Sequence, residues 1–563
     1  MLYPKTNHKR MAISLNGLWK FAFVNDDFQP LQPLKEDLMM GVPGSFNDIF
    51  TTLEKRDYVG KVCYEYVISI PELDGSWNLY LGAAPHHTDI YINGKWIKEN
   101  IGGYLPIHCD IPYSQKIRIS LVIDNRLFLY SHPMGEVIKI GDKEKQNIHF
   151  DFFNYSGIHR NVFLYHLPPK PIDDIIIKAD YDGKSGVVSY NIISQSDVLS
   201  VKLLDPKGAI VGSSSDHQKM MIIDHPILWD INMGHLYTLC VETKTDFYEE
   251  TFGIRHIEIK DKKLYLNFRE IYLKGFGMHE DHVSLGKGSI SSLNVRDFEL
   301  LKWIGANSFR TSHYPYAEEM YELADRYGIL IINEMPAVGL NFWSPRIVFS
   351  DDNNELKRIE NYKKQFDTLI RRDKNHPSVI MYSLANEANT HEEGSLKYFK
   401  EIVNFARERT ELPLMIVEYI GAENNQVAHL FDVIGLNRYM AWYSDFGDLS
   451  VVQKQLTHAL KAYIDRFDKP LVLTEFGADT IAGFHSLPAL AFSEEYQVEF
   501  IETYLKTISH MKGVIGEHVW NFADFQTKQG LTRFMGNKKG VFTRDRQPKM
   551  VAHTLRKYWM ESK

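Results

Sequence analysis

Apolar and polar positions along this chain follow two rhythms. Up to about residue 167, short runs alternate with period two, at 17–21, 62–67, 78–81, 89–94 and 117–123, and turn residues separate them. Such alternation predicts half-buried antiparallel strands, and Asn93-Gly94 between two of the runs predicts a tight hairpin turn. A β-sandwich of the jelly-roll kind fits residues 1–167. Four residues, Pro168, Pro169, Lys170 and Pro171, then interrupt the pattern, because proline fixes φ and removes a ladder donor. Further strand-like runs at 187–192, 200–204 and 236–241 predict a second sandwich over 168–256, of immunoglobulin-like size.

From about residue 257 the period changes. Eight continuous apolar runs, at 271–275, 306–310, 329–333, 379–383, 414–417, 433–436, 471–474 and 513–516, are mostly separated by amphipathic segments such as 295–304 and 318–326. Buried parallel strands alternating with helices predict a (β/α)8 TIM barrel over 257–563. The expected fold class is therefore multidomain, with a jelly roll, an immunoglobulin-like sandwich and a C-terminal barrel.

Barrel enzymes carry their chemistry where the strands end. Those ends are polar here: His279-Glu280-Asp281-His282 after the first run, Arg310-Thr311-Ser312-His313 after the second, and Asn333-Glu334 after the third. Asn386-Glu387 follows the fourth, Asn437-Arg438-Tyr439 the sixth, Glu475 the seventh, and Glu517-His518-Val519-Trp520-Asn521 the eighth. Glu387 and Glu475 stand on opposite sides of the mouth, so both can face one bond. Paired carboxylates suit glycoside hydrolysis, retaining when about 5–5.5 Å apart and inverting when wider. Either glutamate taken singly could instead pair with an arginine. Trp520 either offers an aromatic face to a sugar ring or packs in the core.

Composition narrows the alternatives. Charged residues make up 24% of 563 and the formal net charge is −8, with signs mixed, so no basic stripe marks a nucleic-acid partner. Cys63, Cys109 and Cys240 lack zinc spacing and are expected to be buried free thiols. The N-terminal residues carry positive charge without an apolar segment behind it, and no run reaches membrane-spanning length, so a cytoplasmic location away from membranes is expected. His279-Glu280-Asp281-His282 has metal-ligand residue types, but two-carboxylate hydrolysis needs no Lewis acid, so no metal and no cofactor are expected.

Asn386-Glu387 at the fourth strand and Thr474-Glu475-Phe476-Gly477 at the seventh, behind two sandwich modules, resemble glycoside hydrolase family 2 across essentially the whole chain. The resemblance implies that Glu387 is the general acid/base and Glu475 the nucleophile, with retention. Many members have proline after the acid/base, where Ala388 stands here. Asn386 is then suited to donate to the sugar 2-hydroxyl, Tyr439 to hold Glu475, and Asn437 to bind substrate.

One further motif bears on the sugar. Arg533-Phe534-Met535-Gly536-Asn537-Lys538-Lys539-Gly540 would, by composition alone, be a solvated loop. It resembles the Asn-x-Lys motif that binds the uronate carboxylate in the β-glucuronidases of this family, including those of gut bacteria, which implies that role for Asn537 and Lys539. Asp151, in a loop expected to reach the barrel mouth, Tyr443 and Arg533 match positions near the sugar. His279 and Asp281 are expected to touch sugar hydroxyls or support residues that do. A long stretch from 340 to 354, with Phe342 and Trp343, could cover an aglycone. Glucuronides, small or terminating oligosaccharides, are the implied substrates, and a homo-oligomer, a tetramer by resemblance, the implied assembly. The competing readings are a family member acting on a neutral sugar (β-galactosidase or β-mannosidase) and a non-catalytic carbohydrate-binding protein.

Overall fold

A computed structural model describes residues 2–35, 38–141, 143–341, 347–350 and 352–561. Phe342 and Trp343 lie outside the described residues. The first sandwich packs a six-stranded sheet against a four-stranded one, and both are antiparallel. Between strands His87–Ile92 and Lys95–Ile101 the chain reverses through Asn93 and Gly94 at φ 51° and 82°, the left-handed values that a two-residue hairpin requires. A second sandwich follows from Ile172–Tyr181 to Phe247–Phe252, in sheets of three and four strands.

The last part is a closed barrel of eight parallel strands. They are β1 Leu273–Gly277, β2 Ser308–Arg310, β3 Leu330–Glu334, β4 Val379–Asn386, β5 Leu414–Glu418, β6 Val433–Asn437, β7 Leu471–Glu475 and β8 Val514–Trp520. Every residue of β3 to β8 is buried, which is why each reads as an apolar run rather than an alternation. Helices follow seven of the eight strands, and β5 to β6 is joined by two 3-10 turns, Ala422–Asn424 and Ala428–Leu430. Asp352 and Ser493 cap the helices Asn353–Asp373 and Glu494–Ile508 by accepting from the free backbone N–H groups of the first turn.

The first strand lies two residues later than its apolar run predicts. Arg269–Ile271 instead pairs with Lys263–Leu266, which pairs with Ile257–Lys260, in a small antiparallel sheet. Its Leu264, Leu266 and Ile271 close the N-terminal end of the barrel together with Trp229 from the second sandwich. Trp229 is completely buried and its indole N–H donates to the Asp325 carbonyl at 2.8 Å.

At the opposite end the first sandwich enters the barrel mouth. Phe150 and Phe152 belong to the barrel's own hydrophobic core, and the Phe153 N–H donates to the Gln526 carbonyl at 2.9 Å. Arg160 donates to Glu280 at 3.0 Å and to the Pro315 carbonyl at 2.6 Å. These contacts fix Asp151, one residue before Phe152, over the strand ends. Cys63 and Cys109 are buried and in no disulfide, whereas Cys240 is only partly buried and donates to Glu249 at 3.5 Å. No helix is long and apolar enough to cross a membrane among the described residues.

Because Trp229 is shared by the second sandwich and the barrel floor, Trp229→Ala should cost about 3–5 kcal/mol, the usual effect of emptying a large aromatic site. Urea unfolding followed by fluorescence and circular dichroism checks this, as a lowered midpoint.

Candidate active site

The strand ends are organised by one buried cation. Arg310, the last residue of β2, is wholly excluded from solvent. Its Nη1 donates to both oxygens of Glu334, the last residue of β3, at 2.8 and 2.7 Å. Its Nη2 donates to Oε1 of Glu475, at the end of β7, at 2.5 Å. Glu334 also accepts from the Ser383 hydroxyl at 2.7 Å and bonds the His313 ring at 3.1 Å. Burial alone would raise Glu334, but Arg310 and His313 hold it below the usual carboxylate range. On the other side of Glu475, the Tyr439 hydroxyl donates to Oε2 at 2.7 Å.

A chain of amides leads from this cation to the second carboxyl. The Thr474 hydroxyl donates to Asn437 Oδ1 at 2.8 Å, which turns the Asn437 NH2 toward Glu387 Oε1, at 2.7 Å, and Asn386 Oδ1, at 3.3 Å. Asn386 Oδ1 also accepts from Arg310 at 3.3 Å. With its oxygen so engaged, Asn386 has its NH2 left to offer a ligand in the cavity that it lines. Glu387 itself has φ 53°, the left-handed region that costs a non-glycine residue about 1 kcal/mol and is found preferentially at functional sites. Its backbone N–H donates to the Val417 carbonyl of β5 at 2.9 Å, which fixes the turn.

Burial raises both carboxyls. Glu475 is pushed up to about 8, with the charge of Glu387 adding to burial and Arg310 and Tyr439 opposing it. Glu387 is raised by burial too, against the Asn437 hydrogen bond and the more distant Arg310. Such a pair titrates as a unit. A guanidinium and a phenol on its two oxygens suit Glu475 to the anion, while Glu387, with one amide donor, is suited to keep the proton.

The other end of the cavity collects charges. Arg533 Nε donates to the two oxygens of Asp151 at 2.9 and 2.8 Å, and its Nη2 donates to the Tyr443 hydroxyl at 2.6 Å. Asn537 Nδ2 donates to Asp151 at 3.0 Å. The Lys539 ammonium is fully buried, donates to Tyr443 at 3.0 Å, forms a short ion pair with Asp479, and faces the rings of Tyr443 and Trp442 at 4.9 and 5.2 Å.

These groups surround a single cavity of about 620 Å³. Of the residues expected from sequence, Asp151, Asn386, Glu387, Asn437, Tyr439, Tyr443, Glu475, Trp520 and Arg533 line it. Trp520 does so at 4% exposure while stacking on His313 at 5.1 Å, so it belongs to both core and wall. Asn537 and Lys539 sit one layer behind the wall rather than in a solvated loop, joined to it through Asp151 and Tyr443. Asp151 itself has both oxygens occupied in this structure. His279 does not line the cavity; it packs behind it against Phe525 and Phe152, with Nδ1 on the Tyr314 hydroxyl at 2.9 Å. Asp281 is occupied by Arg544, at 2.5 Å, and the Gln526 N–H, at 2.9 Å. Neither lines the cavity in this structure.

Arg310, Glu334, His313 and Asp479 were not singled out by sequence reading. The first three stood in the polar strand-end ring, so their types were visible but not their pairing. The tetrad from His279 to His282 does not gather ligands around one point. The group of potential metal ligands found among the described residues is His87, Asp89 and Glu99, on the first sandwich and partly exposed.

Two family descriptions match the chain: the sugar binding domain of glycosyl hydrolases family 2 over residues 12–168, and the TIM barrel domain of that family over 257–563. The β-glucuronidase of Paenibacillus borealis is 42% identical, with 100% of this chain and 99% of that protein covered. The Streptococcus agalactiae β-glucuronidase is 38% identical, with 100% and 98% covered. Among solved structures, the β-D-glucuronidase of Dictyoglomus thermophilum superposes with a TM-score of 0.96 at 42% identity, covering 100% of this chain and 99% of that one. The Ruminococcus gnavus β-glucuronidase in complex with uronic isofagomine superposes with a TM-score of 0.96 at 36% identity, covering 100% and 98%. A closed barrel with two strand-end glutamates, two matching domain families and full-length relatives together establish that the chain is a glycoside hydrolase of family 2.

Proposed function

We propose that this chain is a retaining exo-β-glucuronidase, with Glu387 as general acid/base and Glu475 as nucleophile. The observation that carries the reading is the cavity itself, with the two glutamates at one end and Arg533, backed by Asn537 and Lys539, at the other. A glycone with a carboxylate at C5 has complementary groups at both ends. The full-length likeness to β-glucuronidases supports the same substrate class, and the Ruminococcus gnavus β-glucuronidase is solved in complex with uronic isofagomine.

In this mechanism a Glu475 oxygen attacks the anomeric carbon while Glu387 gives its proton to the departing aglycone oxygen. The C1–O bond breaks, the aglycone leaves as a neutral alcohol or phenol, and the sugar is held as an ester of Glu475. Glu387, now ionised, takes a proton from water as the water oxygen attacks C1, and Glu475 departs as carboxylate. Arg310 and Tyr439 stabilise that carboxylate before attack and after release. Asn386 donates to the 2-hydroxyl, a bond that strengthens as positive charge grows at C1. Trp520 closes the floor under the ring, and burial keeps the acid protonated until it is needed.

The uronate would be recognised by exchange of partners. Arg533 and Asn537 donate to Asp151 and would share these donors with the incoming carboxylate, while Tyr443 links Arg533 to the Lys539 ammonium. A charged group in a partly desolvated pocket needs such donors, and a neutral hydroxymethyl would leave them unsatisfied.

Three measurements test this. Glu475→Gln should reduce kcat on a chromogenic glucuronide at least about 10⁴-fold, and Glu387→Ala should lose less on an activated phenol and recover part of the loss with added azide or formate; unchanged rates in either variant refute its role. Lys539→Ala should lower kcat/KM for a β-glucuronide by about two orders of magnitude relative to the β-galactoside of the same phenol, and an unaltered ratio would sink the uronate assignment. Tyr439→Phe removes a donor that lowers Glu475, so the Glu475 pKa rises. Activity needs Glu475 ionised and is present above that pKa, so the acidic limb of kcat/KM should move to higher pH.

A further inference from the structure

Asp479 stands four residues beyond Glu475 and does not line the cavity, yet it contacts Arg533, Lys538 and Lys539 at the sugar end. One oxygen accepts the short ion pair from Lys539, and Arg533 Nη1 lies 3.6 Å from it. The other oxygen accepts the Lys538 backbone N–H at 2.8 Å. The neighbouring Thr480 N–H donates to the Lys538 carbonyl at 2.9 Å, and the Lys539 N–H donates to Asn537 Oδ1 at 3.0 Å. The turn from Asn537 to Lys539 is thus bolted to the segment that leaves β7. We propose that Asp479 is the positioning residue for carboxylate recognition: it aims the Lys539 ammonium and ties the Asn537–Lys539 turn to the strand that carries Glu475, thereby setting preference for an acidic over a neutral glycone.

The argument is one of solvation and geometry. Lys539 has no exposed surface, and its other neighbours are the Tyr443 hydroxyl and aromatic faces. An ammonium in such a place has lost its hydration, and burying a charge is costly unless it is paired and hydrogen-bonded. Asp479 is the carboxylate in contact with it. Burial works against the charge on Asp479, but Lys539 and Arg533 hold it below the ordinary carboxylate range.

The two acids at this end differ in their hydrogen-bond partners, with Arg533 bonded to Asp151 and only 3.6 Å from Asp479. Asp151 takes Arg533 and Asn537 from the cavity side and Asp479 takes Lys539 from behind. An entering carboxylate can compete with Asp151, which reaches the cavity, but not with Asp479, which is sealed at 3% exposure. Asp479 therefore acts as the fixed member of the pair. Since Glu475 and Asp479 lie in one short segment, the distance from the attacking oxygen to the C5 recognition group is set by that segment rather than by two independent loops.

This inference rests on the reading of Lys539 as a uronate-recognising residue, and a double-mutant cycle separates the two. Asp479→Asn, Lys539→Gln and the double variant are assayed as purified full-length protein on the β-glucuronide and the β-galactoside of one phenol. Asp479→Asn should raise KM for the glucuronide at least tenfold with a smaller change in kcat, collapse the glucuronide-to-galactoside ratio of kcat/KM at least tenfold, and add less than twofold in the Lys539→Gln background. Asp479→Glu, which keeps the charge, should recover part of the preference, and thermal melts identify any variant that has lost its fold. Equal losses on both substrates, or a full additional loss in the Lys539→Gln background, would overturn the role of Asp479. If Lys539→Gln alone leaves the preference intact, the reading of Lys539 fails and this inference fails with it.

Discussion

Arg310 is the constraint on which the candidate site depends. A guanidinium with no solvent exposure is tolerable only if its charge is paired, and here β3 and β7 supply a carboxylate each to its two Nη groups, while its Nε–H has no hydrogen-bond partner among the described residues. The fork geometry of the side chain then fixes the separation of Glu334 and Glu475, which lie on strands far apart in sequence. Removing the cation would leave two buried anions facing each other. The pairing is weak evidence for stability and strong evidence for geometry: it sets where one oxygen of Glu475 points before any ligand arrives.

From that oxygen the arrangement spreads by hydrogen-bond saturation. Thr474 occupies Asn437 Oδ1, so the Asn437 NH2 must face Glu387 and Asn386; Asn386 Oδ1 is then doubly occupied, so its own NH2 is the free donor. Each amide is oriented by the one before it. Even the backbone takes part: a Cβ on Gly477 would sit 1.9 Å from the Trp520 carbonyl, so only glycine lets β7 and β8 approach closely enough to seat Trp520 beside Glu475.

Much of this was legible in the sequence, for physical reasons. Buried parallel strands leave continuous apolar runs, so a polar residue at the end of one stands out, and Glu387, Asn437 and Glu475 were found that way. The apolar run predicts the first strand two residues early because Arg269–Ile271 is also a strand, though of the small sheet below the barrel, and an apolar run does not say which sheet it joins. Arg310 and Glu334 were visible as polar types but not as partners, because their meeting depends on ring closure between β2, β3 and β7. His279 is suggested as a contact residue by its place after β1, but its ring packs against Phe152, Phe525 and Trp520, and of these only Trp520 lines the cavity. The depth of Lys539 was the least readable feature. A lysine pair beside glycine has the composition of a surface loop, and only Asp479, from another strand end, makes burial of that ammonium possible.

The two ends of the cavity differ in how they hold charge, and the difference follows from what each must do. At the glutamate end the cation is locked between two carboxylates, so charge is fixed and only protons move. At the opposite end Arg533 is 11% exposed on its side chain and Asp151 32%, and their ion pair can exchange partners with solvent or ligand. A site that binds a charged sugar and releases it must not hold it as tightly as Arg310 holds Glu334. The exchangeable pair joins Asp151, on the loop from the first sandwich, to Arg533 of the barrel, whereas both members of the fixed pair Asp479–Lys539 belong to the barrel; on the proposed reading this would separate capture of the carboxylate from the alignment of C1 with Glu475.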